Sequence, residues 1–74
     1  MTVEIELFGQ LLPGKPRKQA LEMERPLKVQ DVALHLGLNP KEIGLITINN
    51  VQSELDDPVL PTCRLCFFPH MSGG

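Results

Sequence analysis

Val29-Gln30-Asp31-Val32-Ala33-Leu34-His35-Leu36-Gly37-Leu38 sets Val29, Val32, Ala33 and Leu36 at i, i+3, i+4 and i+7. That spacing lines the four along one side of a helix and leaves Gln30, Asp31 and His35 outside. Gly37 is placed to end the helix in the left-handed conformation, with Leu38 folding back as the apolar partner of the cap. Both flanks of this segment carry a different period. From Thr2 to Phe8, apolar Val3, Ile5 and Leu7 alternate with Glu4 and Glu6, the period of a strand with one face in a core. Pro13-Gly14 marks a turn, and Gln19 to Arg25, where Leu21 and Met23 are separated by Glu22, reads as a second strand returning as a hairpin. Pro26, which has no N–H to give, interrupts the ladder before the helix.

Beyond the helix, Asn39-Pro40-Lys41-Glu42 has the order of a second helix start, with Asn39 as cap and Pro40 at the first helical position, and Gly44 limits it to a short turn. Leu45 to Asn49 is β-rich and ends at Asn49-Asn50, residues that tolerate turn conformations. Val51 to Leu60 contains Asp56-Asp57-Pro58 and reads either as a short edge strand or as an irregular crossing. Arg64 to Phe68 is the last predicted strand, ended by Pro69. The order strand, strand, helix, strand, weak strand, strand specifies an α+β chain of β-grasp (ubiquitin-like) type, a mixed sheet of four to five strands packed on one helix. The long connection through the helix permits the parallel pairing that such a sheet needs at its centre.

With 74 residues there is room for one compact domain and little for a deep pocket. No apolar run approaches the roughly 20 residues needed to span a bilayer. The amino terminus has no basic stretch followed by an apolar one, so a cytoplasmic protein without a membrane partner is expected. A net charge of -2 offers no general attraction to nucleic acid, and Lys15-Pro16-Arg17-Lys18, surrounded by turn residues, reads as a solvated hairpin tip.

The side chains do not assemble into an autonomous catalyst. There is no Ser, His and acid set in an elbow motif, no Gly-rich phosphate loop and no His-Glu-x-x-His. His35 reads as a solvated histidine, and Asp56-Asp57 beside Pro58 as a turn. Cys63 and Cys66 form a C-x-x-C, yet residues three apart on a strand point to opposite faces, so the two sulfurs diverge. Neither His35 nor His70 has ligand spacing to them, so structural thiols and no metal are expected.

The unusual feature is the diglycine Gly73-Gly74, a pair that chance places at the last two positions in only about 0.5% of chains. The chain is expected to divide into a folded body, 1–69, and a flexible tail, 70–74. From Pro69 to Gly74 the chain extends roughly 20 Å at about 3.3–3.6 Å per residue, and glycines without a Cβ pass through a channel too narrow for other residues. The reacting group is then the Gly74 carboxylate, entering a partner's active site. A carboxylate is a poor acyl donor, so a partner using ATP must first activate it as an acyl-adenylate. A sulfur nucleophile then gives a thiocarboxylate, and a lysine amine an isopeptide link. If Leu65 and Phe67 face the helix, Cys66 and Phe68 face the other side, leaving an apolar surface beside the tail for a partner.

These residues resemble the MoaD/ThiS family of ubiquitin-like sulfur carriers over essentially the whole chain. Phe67-Phe68-Pro69-His70-Met71-Ser72-Gly73-Gly74 is similar to the F-P-P-x-x-G-G ending of the small subunit of molybdopterin synthase. Leu7-Phe8-Gly9 is similar to the L-F-A of its first strand, Leu36-Gly37-Leu38 to its L-G-L helix stop, and Ile48-Asn49-Asn50 stands where V-N-G is usual. Thr62-Cys63 replaces the usual Gly-Asp, and His70 the second proline. The resemblance implies a non-catalytic carrier with no bound cofactor. Gly74 would be adenylated by a ubiquitin-activating-type enzyme with ATP, receive sulfur from a donor, and deliver it on a molybdopterin synthase large subunit or analogous client. Gly73, Ser72, Met71, His70, Pro69, Phe68 and Cys66 would meet those partners. A thiamine-pathway carrier, a ubiquitin-like protein modifier and a binding-only β-grasp module stand as alternatives.

Overall fold

The computed structural model describes residues 2–70. Among them five strands, one α-helix and one 3₁₀ turn follow each other as β1 (Thr2–Leu7), β2 (Lys18–Glu22), α1 (Val29–Leu36), the 3₁₀ turn Pro40–Glu42, β3 (Ile43–Ile48), β4 (Val51–Ser53) and β5 (Arg64–Pro69). The sheet order is β2-β1-β5-β3-β4. β1 and β5 run parallel at its centre, with Ile5 opposite Leu65 and Leu7 opposite Phe67, and every other pairing is antiparallel. This is the expected β-grasp, and five strands complete the sheet.

Alternation decides which side faces α1. Val3, Ile5 and Leu7 of β1, Ile46 and Ile48 of β3, and Leu65 and Phe67 of β5 form one buried cluster with Val29, Val32 and Ala33 of the helix. Removing each such large side chain from water contributes about 1.5–3 kcal/mol, which is what holds an eight-residue helix that is too short to persist alone. Leu36, the fourth member of the predicted stripe, is half-buried.

The helix ends are closed as the sequence specifies at one end and by a distant segment at the other. Gly37 adopts φ 87°, with Gly37 N–H donating to Leu34 C=O at 3.1 Å and Leu38 N–H to Ala33 C=O at 2.8 Å. That is a Schellman motif with Leu38 buried beneath it. At the start, the Asp31 carboxylate accepts from Lys28 N–H at 3.1 Å. The first-turn amides of Val29 and Gln30 donate to the carbonyls of Asp57 and Leu55 at 3.0 and 2.8 Å. Residues 54–57 therefore serve as a cap supplied from across the fold, filling the orphan donors every helix start leaves. Asp56-Asp57 is a turn as expected, with Glu54 N–H donating to the Asp57 carboxylate at 2.8 Å.

Several boundaries move for physical reasons. β2 is the five residues Lys18–Glu22, its last pair being Glu22 with Thr2. Met23 turns into the core instead. Asn49 and Asn50 take φ 51° and 69°, the two positive values of a type I′ turn, so Val51–Ser53 folds back on β3 as an edge strand. That resolves the two readings of 51–60 in favour of an edge strand followed by an irregular crossing. Arg17, read as part of a solvated tip, is half-buried. Its guanidinium donates to the carbonyls of Gly9 at 3.0 Å and of Leu11 and Leu12 at 2.6 Å each, so it organises the β1–β2 loop from within.

Candidate functional site

The site is the place where the chain leaves the sheet. β5 lies between β1 and β3, and its last two residues, Phe68 and Pro69, pair with Leu45 and Ile43 of β3. β3 carries a bulge between Ile43 and Leu45, which puts Gly44 against the exit. A Cβ at Gly44 would lie 2.7 Å from both His70 Cα and the Pro69 carbonyl oxygen, closer than carbon can approach backbone, so only glycine fits there. On the other side, Gly9 has φ +61° and leaves room that the Pro69 ring fills, its Cγ 2.5 Å from where a Cβ would stand. Pro69 is thus seated between two glycines, Gly9 of the loop after β1 and Gly44 at the bulge of β3. It can occupy β5 because proline at the end of a strand has no N–H to contribute to the ladder.

His70, expected to open the tail, is still tied to the body. Its Nε2 lies 2.8 Å from the Lys41 carbonyl oxygen, and because a carbonyl only accepts, Nε2 is the donor. Lys41 is in turn fixed by the 3₁₀ turn, where Asn39 Oδ1 accepts from Lys41 N–H at 3.0 Å.

On the face turned from the helix, Phe68 stacks on Phe8, with ring centroids 4.4 Å apart and planes inclined by 10°. Phe8 is held level with β5 by its N–H, which donates to the Phe67 carbonyl at 3.0 Å. Leu45, 38% exposed, is the partner of Phe68 on β3. Phe8, just past the end of β1, Phe68 of β5 and Leu45 of β3 therefore form an apolar strip directly beside the exit. Both rings are half-buried, so Phe68 is neither core nor free surface. Farther from the exit the same face turns polar, with Glu6 paired to the Arg64 guanidinium, which raises the Arg64 pKa.

Cys66 departs from the expected outward contact. It lies outside the helix-facing cluster yet is only 3% exposed, flanked in register by Glu6 and Thr47, so its thiol does not present itself to a partner. Cys63 is 1% exposed within the core. Both thiols are free, and burial pushes the Cys63 thiol above its ordinary pKa. Among the described residues no three His, Cys, Asp or Glu side chains gather to hold a metal ion, and no helix is long and apolar enough to cross a membrane. Met71, Ser72, Gly73 and Gly74, the rest of the expected site, lie outside the described residues.

Sequence reasoning assigned Pro69, His70 and Phe68 to this end but missed Phe8, Gly9, Lys41, Gly44 and Leu45. Alternation carried the signal for two of them, since a buried Leu7 and Ile46 turn Phe8 and Leu45 to the opposite face. Nothing local in the sequence marks Gly44 or Lys41, whose roles depend on β5 arriving beside them.

No protein-family model matches the chain, and no curated protein matches it. Its fold is similar to that of SAMP1 from Haloferax volcanii, with a TM-score of 0.75, 22% identity and 100% of both chains covered. It is also similar to a chain in the complex of subunits 1 and 2 of molybdopterin-converting factor from Helicobacter pylori, with a TM-score of 0.63, 21% identity and 100% of both chains covered. The shared architecture is the five-stranded β-grasp over its full length.

Proposed function

We propose that this chain is a ubiquitin-like sulfur carrier, akin to the small subunit of molybdopterin synthase, and that the Gly74 carboxylate is its working group. The observation that carries the proposal is the exit. A central strand ends beside an apolar strip of Phe8, Phe68 and Leu45, and the sequence continues from that point to Gly73-Gly74. The likeness in fold to a chain of the molybdopterin-converting factor complex supports the same assignment.

In this reading the body, 1–69, is a handle, and catalysis belongs to partners in the cytoplasm. The Gly74 carboxylate oxygen attacks the α-phosphorus of ATP in an adenylating enzyme, and pyrophosphate leaves. Hydrosulfide released by a sulfur donor then attacks the acyl carbon, the acyl C–O bond breaks with AMP leaving, and a thiocarboxylate remains for delivery to a client large subunit. The apolar strip is the docking surface: it lies within reach of the tail, and apolar rings next to a polar rim are what a partner interface uses.

The test is the intact mass of the protein after incubation with its activating enzyme, ATP and a sulfur donor. The expected product is heavier by the difference between one sulfur and one oxygen atom, reacts with an alkylating reagent, and is absent when Gly74 is deleted. Phe68→Asp is expected to keep the far-ultraviolet circular dichroism of the fold while slowing product formation at least tenfold. Persistence of the unmodified mass with every donor tried would remove the carrier reading. Amide-linked conjugates in its own cell lysate that vanish on Gly74 deletion would assign the same carboxylate to protein modification instead.

A further inference from the structure

We infer that His70 is a positioning residue that sets where the reacting tail begins, through its bond to the body rather than through any contact with a partner. The inference rests on the carrier chemistry proposed above. Three features fix the exit independently. Pro69 sits in the space left by Gly9. Gly44 admits the backbone of Pro69 and His70 at a separation that a Cβ would occupy. The His70 ring closes the arrangement by donating Nε2–H to the Lys41 carbonyl at 2.8 Å.

The consequence is a shorter tether than the sequence implies. Counted beyond Pro69 the five residues 70–74 reach roughly 17–18 Å, but counted beyond a fixed His70 the four residues 71–74 reach at most about 13–14 Å. A partner docked on the Phe8, Phe68 and Leu45 strip therefore places its reacting centre within that distance of the exit. Fixing His70 in advance also removes one residue from those that must be ordered when the tail enters the channel. Ordering a single backbone residue corresponds to about a five- to thirtyfold factor. That step follows docking, so it appears in kcat rather than in KM.

A purely apolar proline at this position, as in the resembling ending, supplies stiffness without a donor. Here the sequence supplies the donor, and the 3₁₀ turn Pro40–Glu42 holds the acceptor in place. The arrangement is specific enough to be rescued: a glutamine at position 70 carries an Nε2–H at about the same reach, whereas alanine carries none.

The experiment uses the full chain with its activating enzyme and ATP, following pyrophosphate release for the wild type, His70→Ala and His70→Gln, with backbone amide order parameters measured on each variant. His70→Ala is expected to lower kcat about five- to thirtyfold with KM within about twofold, and to lower the order parameter of residue 70, the loss in kcat corresponding to freeing one residue. His70→Gln is expected to restore both. An unchanged kcat in His70→Ala, an unchanged order parameter, a loss confined to KM, or no rescue by glutamine would each overturn the positioning role, the third by placing His70 against the partner. No pyrophosphate release from the wild type would instead remove the carrier reading itself, a failure visible in that arm alone.

Discussion

Thr62 sits at φ 56°, in the left-handed region where a β-branched side chain is strained by roughly 1–3 kcal/mol. Its N–H donates to the Thr2 carbonyl at 3.1 Å, so the conformation is imposed by the loop that brings β5 back beside β1. The resembling family places Gly-Asp here, and the structure supplies the reason: the loop asks for a residue without a Cβ. Thr62→Gly relieves the strain at a cost of about 0.5–1 kcal/mol in chain entropy. We expect a net gain of about 0.5–1 kcal/mol, or about 3–6 °C in Tm for a domain of this size, read by thermal melts, and an unchanged or lowered Tm would refute it. Departures of this kind were legible in the sequence as mismatches, but their energetic meaning was not, because a positive φ depends on where the two flanking elements go. Gly44 was legible only as the end of a short turn, and its contact with His70 required the bulge in β3 and the end of β5 together.

At the scale of elements, the helix and the first two strands could be read from period, because their apolar positions repeat at 3.6 or 2 residues, whereas β3 was legible from its β-rich composition and β5 from the stop at Pro69. The edge strand β4 could not be read. Val51 and Gln52 are exposed, so Val51–Ser53 has no burial period, and a turn rather than its own composition makes it a strand. Asn49-Asn50 supplies that turn, and Asn49 also clasps β5, its Oδ1 accepting from Arg64 N–H at 2.9 Å and its N–H donating to the Arg64 carbonyl at 2.9 Å. Asn50, with φ 69°, has the backbone glycine prefers at the second position of a type I′ turn. Asn50→Gly is therefore expected to raise stability by a few tenths of a kcal/mol to about 1 kcal/mol, whereas Asn49→Ala loses the turn preference and the side-chain bond of the clasp, keeping its backbone bond, and lowers it by about 1–2 kcal/mol. Urea denaturation compares the pair, and equal effects at 49 and 50 would show that the clasp contributes nothing.

For the whole molecule, burial of both sulfurs has a chemical consequence. The unfolded Cys63 thiol ionises near the ordinary value of about 8.5, but in the folded protein burial raises its pKa. Between those two values the folded state holds a proton that the unfolded state has released, so stability falls as the pH rises through that window and is unaffected below it. Urea midpoints from pH 7 to 10 are expected to decline above about pH 8.5, with a shallower decline in Cys63→Ala, and parallel curves for the two proteins would contradict this. What the sequence left unread at this scale is that His70 is tied to the folded body, by a hydrogen bond to the Lys41 carbonyl, 29 positions away. The place of β5 has one more consequence. A pull on the chain beyond β5 acts along the axis of a strand bonded to β1 on one side and β3 on the other. The ladder bonds lie across that axis, so the force shears two rows at once instead of opening one row bond by bond.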